Sequence, residues 1–170
     1  MGIEQNKIDI LRHSAAHILA AAVLEMFPEA KFAIGPTIDD GFYYDFDLPR
    51  TLIPEDLPIL EEKMRAIIKQ NPAFEKKSVD AKKARELFKK AGQPYKVELI
   101  KDLITEFNSP RPPLKIRGNK EDLAVTIYKT GNFVDLCRGP HLDSAGEIPT
   151  DAFKLLKIAG AYWRGDEKNP

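Results

Sequence analysis

The sequence predicts a mixed chain of helices and paired strands, the α+β class, on three observations. A long N-terminal run has helical periodicity, two stretches alternate like strands across glycine-containing turns, and the middle third carries further helical patterns. No internal repeat and no low-complexity stretch interrupts this order.

The first helix is expected from Ile8 to Phe27, where Ile8, Leu11, Ala15, Ile18, Leu19, Ala22 and Val23 recur at helical intervals and Pro28 ends the run. Alanine fills several other positions, so this helix is expected to pack on more than one side. Lys31–Leu48 reads as a pair of strands, with Gly35-Pro36 and Asp39-Asp40-Gly41 as turn signals. Pro49 and Pro54 punctuate a linker. Glu55–Asn71 is helical in period, with Pro58 tolerated in the first turn and Pro72 as the stop. Phe74–Val79 is a candidate strand. Asp80 then suits the N-cap of a basic helix that closes at Gly92. Tyr95–Glu106 is ambiguous in pattern, and Ser109–Pro113 reads as loop. Leu123–Lys129 and Asn132–Leu136 alternate like two strands around Thr130-Gly131. A short helix over Asp151–Ala159 and a last strand over Ala161–Trp163 complete the reading.

The 170 residues suit one domain or two small ones, and 43% hydrophobic residues suffice for a core. A single cysteine excludes an internal disulfide framework. No apolar run reaches the roughly 18 residues of a membrane span, and the N-terminus lacks the layout of a secretory signal. A soluble, cytoplasmic protein is therefore expected. The formal net charge is zero, but its distribution is uneven. Residues 1–60 carry four basic and ten acidic side chains, residues 61–101 twelve basic and six acidic, and the rest ten of each. The middle third is a candidate surface for a polyanion, since clustered lysine and arginine bind phosphates with little regard to sequence. A solvated helix face explains the same residues equally well.

His13 and His17 stand four apart on the first helix, so both imidazoles project from one face. Cys137 and His141 are also four apart, with Gly139-Pro140 placing them on a loop after a strand. All three histidines and the only cysteine thus fall into two pairs with metal-ligand spacing. Three nitrogens and one sulfur would suit tetrahedral zinc. Four protein ligands would close the shell, so either one ligand releases the metal or the groups act without it, as hydrogen-bonding and acid/base residues. Asp135, two residues before Cys137, faces the same side of its strand and could orient an imidazole. Lys96 follows the turn Gly92-Gln93-Pro94 and could donate to a developing oxyanion. From its neighbours alone, Lys96 reads as one more solvated lysine.

In order along the chain, Arg12-His13-Ser14-Ala15-Ala16-His17, Ala33-Ile34-Gly35-Pro36, Gly41-Phe42-Tyr43-Tyr44-Asp45, Tyr95-Lys96-Val97, Asp135-Leu136-Cys137-Arg138-Gly139-Pro140-His141 and Ala161-Tyr162-Trp163-Arg164-Gly165-Asp166 resemble the editing domain of threonyl-tRNA synthetase. This is the second additional N-terminal domain of that family, related to the editing domains of alanyl-tRNA synthetase. The resemblance implies a long N-terminal helix packed against a curved antiparallel sheet, in one domain over residues 1–170 with a helical, basic subdomain at about 55–106. It implies hydrolysis of the ester that joins serine wrongly to tRNA(Thr), with no cofactor required and zinc as an option on His13, His17, Cys137 and His141.

By the same resemblance, His13 positions or activates the attacking water, and Lys96 stabilises the oxyanion or places a second water. His17, Asp135, Cys137 and His141 bind the seryl amino and hydroxyl groups or hold the shell. Gly35 and Tyr44 line the pocket and contact the terminal adenosine, while the basic Lys76–Lys90 stretch touches tRNA phosphates. Expected partners are the serine-bearing acceptor end of tRNA(Thr) and the remainder of the synthetase; membrane and DNA are not. The sequence holds no aminoacylation core and stops after Arg164-Gly165-Asp166 and four further residues, which favours an excised domain over a freestanding factor. Two rival functions remain: a non-catalytic tRNA- or synthetase-binding module with an inherited pocket, and a freestanding alanine-type editing deacylase.

Overall fold

The structure, a computed structural model, describes residues 2–108 and 123–168. The loop expected at Ser109–Pro113 lies outside the described residues. The class is α+β, as expected: among the described residues there are four α-helices and seven short strands, all strand pairs antiparallel.

Helix α1 (Gly2–Met26) begins earlier than the periodicity suggested. Residues 14 to 23 are all buried, so this helix is enclosed on every side over nearly three turns, and its alanines let neighbouring backbone approach. Beyond Pro28 the chain folds into a two-stranded arm in four pieces. Strand β1 (Lys31–Phe32) pairs with β4 (Phe46–Asp47), and β2 (Thr37–Ile38) with β3 (Gly41–Phe42). The expected strand pair is broken at Gly35-Pro36 because proline has no N–H to give to a ladder.

Helix α2 (Asp56–Gln70) buries Leu60, Met64, Ile67 and Ile68 in the core it shares with α1. It ends at Asn71, whose left-handed φ of 52° is one asparagine tolerates. Strand β5 (Glu75–Asp80) leads directly into α3 (Ala81–Lys90). Asp80 is the N-cap, its carboxylate accepting from the Lys83 N–H at 3.0 Å. The ambiguous stretch is helix α4 (Pro94–Phe107), with Pro94 in its first turn and Ile100 buried against Ala84 and Phe88 of α3. Strands β6 (Ala124–Thr130) and β7 (Phe133–Leu136) complete a sheet of order β5-β6-β7. The strands thus form three small sheets among the described residues. Strand β6 separates two cores: Val125 and Ile127 face α3 and α4, while Tyr128 faces the α1–α2 side.

Two expectations fail. The segment 151–159 is not a helix but a largely extended strap. The strap and the residue just before it are tied to side chains of α2. Arg65 Nε donates to the Thr150 carbonyl at 3.0 Å, and the Leu155 N–H donates to Glu61 Oε1 at 2.9 Å. Phe153 is buried while Leu156 is 81% exposed. Ala161–Trp163 is not a strand either, since Trp163–Gly165 is a 3₁₀ turn docked on α4. There the Trp163 indole N–H donates to Glu98 at 2.9 Å, its ring packs on Tyr95, and Arg164 pairs with Glu98 and Asp102. Among the described residues no helix is long and apolar enough to cross a membrane.

Candidate functional site

The enclosed middle of α1 carries His13 and His17, one turn apart. The loop leaving β7 brings the other pair to them. Cys137 is held by its N–H to the Thr126 carbonyl at 3.1 Å. The chain then turns through Gly139, whose φ is +72° and where an added Cβ would stand 2.3 Å from the Tyr128 hydroxyl. Only glycine fits this position. The turn returns His141 toward Cys137, and one ligand atom from each of His13, His17, Cys137 and His141 lies within 4.8 Å of the others. Cys137 Sγ is 3.3 Å from both His13 Nε2 and His141 Nε2, and it accepts the Gly139 N–H at 3.2 Å.

A count of protons shows what this cluster lacks. His13 Nδ1 is 3.2 Å from the Pro140 carbonyl, which can only accept, so Nδ1 carries the hydrogen and Nε2 a bare lone pair. Ser14 Oγ spends its single proton on the Ile10 carbonyl at 2.8 Å and accepts the Leu142 N–H at 3.0 Å. Its 3.3 Å contact with His141 Nδ1 is therefore an N–H donation from the imidazole, and His141 Nε2 is bare as well. His17 Nε2 is 3.2 Å from Asp135 Oδ2, which leaves Nδ1 buried without a hydrogen-bond partner. Burial pushes the Cys137 thiol up to about 11, so at neutral pH it holds one proton. Burial and the neighbouring imidazoles lower the pKa of His13 and take that of His141 down to about 2, so both are neutral. Two bare ring nitrogens, His13 Nε2 and His141 Nε2, thus face one S–H, and the site calls for donors from outside: water, hydroxyl, ammonium or a cation.

Behind the cluster lies a dry ionic network. Lys96 Nζ pairs ionically with Asp135 Oδ1 at 2.5 Å and donates to the Ala33 carbonyl at 2.6 Å and to the Tyr44 hydroxyl at 3.1 Å. Tyr44 donates to Asp135 Oδ2 at 2.7 Å. Burial would raise the Asp135 carboxyl, but the Lys96 ammonium and the His17 contact outweigh it and hold the group well below the usual carboxylate range. Tyr44 is displaced the other way, its phenol raised by burial and by Asp135. The solvated lysine suggested by local sequence is thus only 2% exposed. Its basic neighbours on α3 do face solvent, whereas Lys96 sits on the face of α4 turned toward β1 and the arm.

The donor set also fits zinc. Zn–S of about 2.3 Å and Zn–N of about 2.0–2.1 Å at tetrahedral angles place sulfur about 3.6 Å from each nitrogen, close to the two 3.3 Å contacts here. His17, whose Nδ1 is buried without a hydrogen-bond partner, is the fourth member of the set. The overall spread of 4.8 Å exceeds a closed tetrahedral shell, so four-fold ligation would require the groups to draw together.

Residues 125–170 match the family described as the threonyl and alanyl tRNA synthetase second additional domain. Over 163 residues, 96% of its length, the chain is 54% identical to the threonine--tRNA ligase of Dehalococcoides mccartyi (strain ATCC BAA-2100 / JCM 16839 / KCTC 5957 / BAV1), of which it covers 24%. It is 47% identical over 174 residues to the ligase of Borrelia turicatae (strain 91E135), covering 99% of the chain and 26% of that protein. With the ligase of Coxiella burnetii (strain RSA 493 / Nine Mile phase I) it shares 48% over 162 residues, 95% of the chain and 22% of that protein. Residues 125–170 thus belong to that second additional domain, and nearly the whole chain is similar to one segment of threonyl-tRNA synthetases. It spans about a quarter of the length of these curated relatives.

In this chain the expected residues His13, His17, Lys96, Asp135, Cys137 and His141 form one continuous contact network. Gly35 and Tyr44 adjoin it differently from expectation. The Gly35 backbone lies against the Tyr44 ring, where a Cβ would come within 2.2 Å of Cδ2. The ring itself is 6% exposed, stacks on Phe46, and contributes to the wall of another groove. Tyr44 therefore joins the ionic network through its hydroxyl instead of offering an open face to a base. That groove, of about 1460 Å³, is the larger of the two described cavities but does not include the cluster. It meets α1 at Leu11, Ala15 and Leu19, away from the histidine face. Sequence reasoning passed over Ser14 and the Tyr44 hydroxyl. The only signal for Ser14 was its position between two histidines in a helix otherwise lined by alanine.

Proposed function

We propose that this domain is a post-transfer editing hydrolase that removes serine from wrongly charged tRNA(Thr) by water attack on the aminoacyl ester. The observation that carries this reading is the excess of lone pairs over protons at His13, Cys137 and His141. A seryl ester brings an ammonium and a hydroxyl, the donors such a site calls for, and the attacking water brings two more.

His13 has the right chemistry for the base. Its Nδ1–H is fixed on the Pro140 carbonyl, and its Nε2 is neutral and able to take a proton from water. His17, Asp135, Cys137 and His141 hold the seryl amino and hydroxyl groups and the surrounding shell. Lys96 stabilises the oxyanion or places a second water by exchanging one of its present partners for the substrate. The exposed lysines between Lys76 and Lys90 contact tRNA phosphates without reading sequence. Zinc, when held by His13, His17, Cys137 and His141, would polarise a bound oxygen and lower the pKa of a coordinated water.

Such a site answers a limit of binding energy. Serine lacks one methyl of threonine, and a synthetic pocket that must admit threonine rejects serine by only about 1–3 kcal/mol. A hydrolytic pocket tight at the position of that methyl sorts the two in the opposite sense.

The test is a deacylation assay with seryl and threonyl esters on tRNA(Thr) and on tRNA(Ala). Selective loss of serine from tRNA(Thr) supports the proposal. Preference for Ser-tRNA(Ala) would assign an alanine-type deacylase, and turnover of none would leave a binding module.

A further inference from the structure

We propose that Ser14 is a positioning residue that selects the ring tautomer of His141, and so decides which imidazole nitrogen faces the cluster. The inference deepens the hydrolytic reading and rests on it for its kinetic arm alone.

Ser14 is fully buried on α1, between the two helix-borne histidines. A serine inside a helix usually gives its proton to the carbonyl four residues back, and Ser14 does so with Ile10 at 2.8 Å. With that proton committed, Oγ has only lone pairs left. One takes the Leu142 N–H at 3.0 Å, which fixes the backbone just after His141. The other faces His141 Nδ1 at 3.3 Å. An oxygen that can only accept admits only an N–H, so the neutral ring must carry its hydrogen on Nδ1. Nε2 is then the bare nitrogen, 3.3 Å from Cys137 Sγ. Without Ser14 Oγ, nothing among the described hydrogen bonds favours Nδ1–H in His141. The Nε2–H tautomer would instead gain a donation to Cys137 sulfur and cancel one of the cluster's lone pairs.

Ring packing does not supply the same selection. His141 stacks on Phe74 with centroids 5.2 Å apart and meets Tyr128 edge-on at 4.5 Å. These contacts set the plane of the ring but treat the two tautomers almost alike. Ser14 does what a hydrogen-bonding partner behind an imidazole commonly does: it fixes tautomer and orientation while touching no substrate.

The experiment compares the wild-type chain, Ser14→Ala and Ser14→Thr, all with ¹⁵N-labelled histidine. The His141 nitrogen shifts at neutral pH read the tautomer directly. Wild type and S14T are expected to show protonated Nδ1 and bare Nε2, while S14A shifts toward Nε2–H. Single-turnover hydrolysis of Ser-tRNA(Thr) should fall about 10–100-fold in S14A and largely recover in S14T. Wild-type His141 with its hydrogen on Nε2 overturns the inference outright and requires no variant to fold. S14A retaining Nδ1–H alone overturns it too. A wild-type chain that shows the Nδ1–H tautomer but hydrolyses no ester would defeat the hydrolytic reading and leave the role of Ser14 standing.

Discussion

Replacing Asp135 with asparagine tests the ionic network behind the cluster, because the substitution keeps the shape and removes the charge. In the wild-type structure Lys96 Nζ sits 2.5 Å from Asp135 Oδ1, with side chains 3% and 4% exposed. Water cannot take over from the lost carboxylate, and neither the Ala33 carbonyl nor the Tyr44 hydroxyl carries a countercharge. Removing one partner of a buried pair costs about 3–5 kcal/mol. Asparagine can still accept one hydrogen bond, so D135N should fall near 3 kcal/mol, against a total stability on the order of 5–15 kcal/mol. With a urea slope of about 1–3 kcal/mol per molar, the midpoint should drop by about 1–3 M. Lys96→Met should be destabilising for the converse reason, since it strands the carboxylate. The double variant K96M/D135N removes both charges and should lose clearly less than the two single losses added together. A D135N midpoint within error of wild type, or strict additivity in the cycle, would refute the assignment of a buried, coupled pair.

Other predictions follow from the same geometry. Gly35→Ala puts a methyl 2.2 Å from the Tyr44 ring, so it should cost about 1–3 kcal/mol or more in urea denaturation. An unchanged midpoint would mean that the ring and backbone are not in contact. Stability should fall as pH drops below the unfolded histidine value near 6.5. The His13 and His141 pKa values are lowered in the folded state, so over that window the unfolded chain binds more protons. The slope should be on the order of 1 kcal/mol per pH unit, with Asp135 adding the same sign at lower pH as its depressed carboxyl is protonated. A flat profile between pH 7.5 and 5 would contradict neutral, desolvated imidazoles. Micromolar zinc should raise the melting temperature of the wild-type chain but not of Cys137→Ser; equal shifts in both would place the metal elsewhere.

The pairing of His13 with His17 and of Cys137 with His141 was legible in the sequence because four-residue spacing is a local geometric fact, and a shared site followed from all four candidate ligands falling into such pairs. Asp80 as an N-cap and Gly131 between β6 and β7 were legible for the same reason. Lys96 was not, since its burial depends on Asp135 and Tyr44, which lie far from it in sequence. The strap at 151–159 misread as helix because Phe153, Leu155, Leu156 and Ile158 satisfy a short helical pattern. Its partners, Glu61 and Arg65, become visible only once α2 is in place. The Tyr95–Glu106 ambiguity resolved to helix through packing of Ile100 and its neighbours against α3. Ser14 stayed hidden because its role depends on a proton count that sequence spacing does not carry.

The most direct measurement is the first-order rate at which excess protein frees serine from preformed Ser-tRNA(Thr), with Thr-tRNA(Thr) and the His13→Ala variant run alongside. The account predicts fast release of serine by wild type, sparing of threonine, and a rate for H13A close to that of buffer. Equal loss of both amino acids, or a His13→Ala variant as fast as wild type, would contradict it.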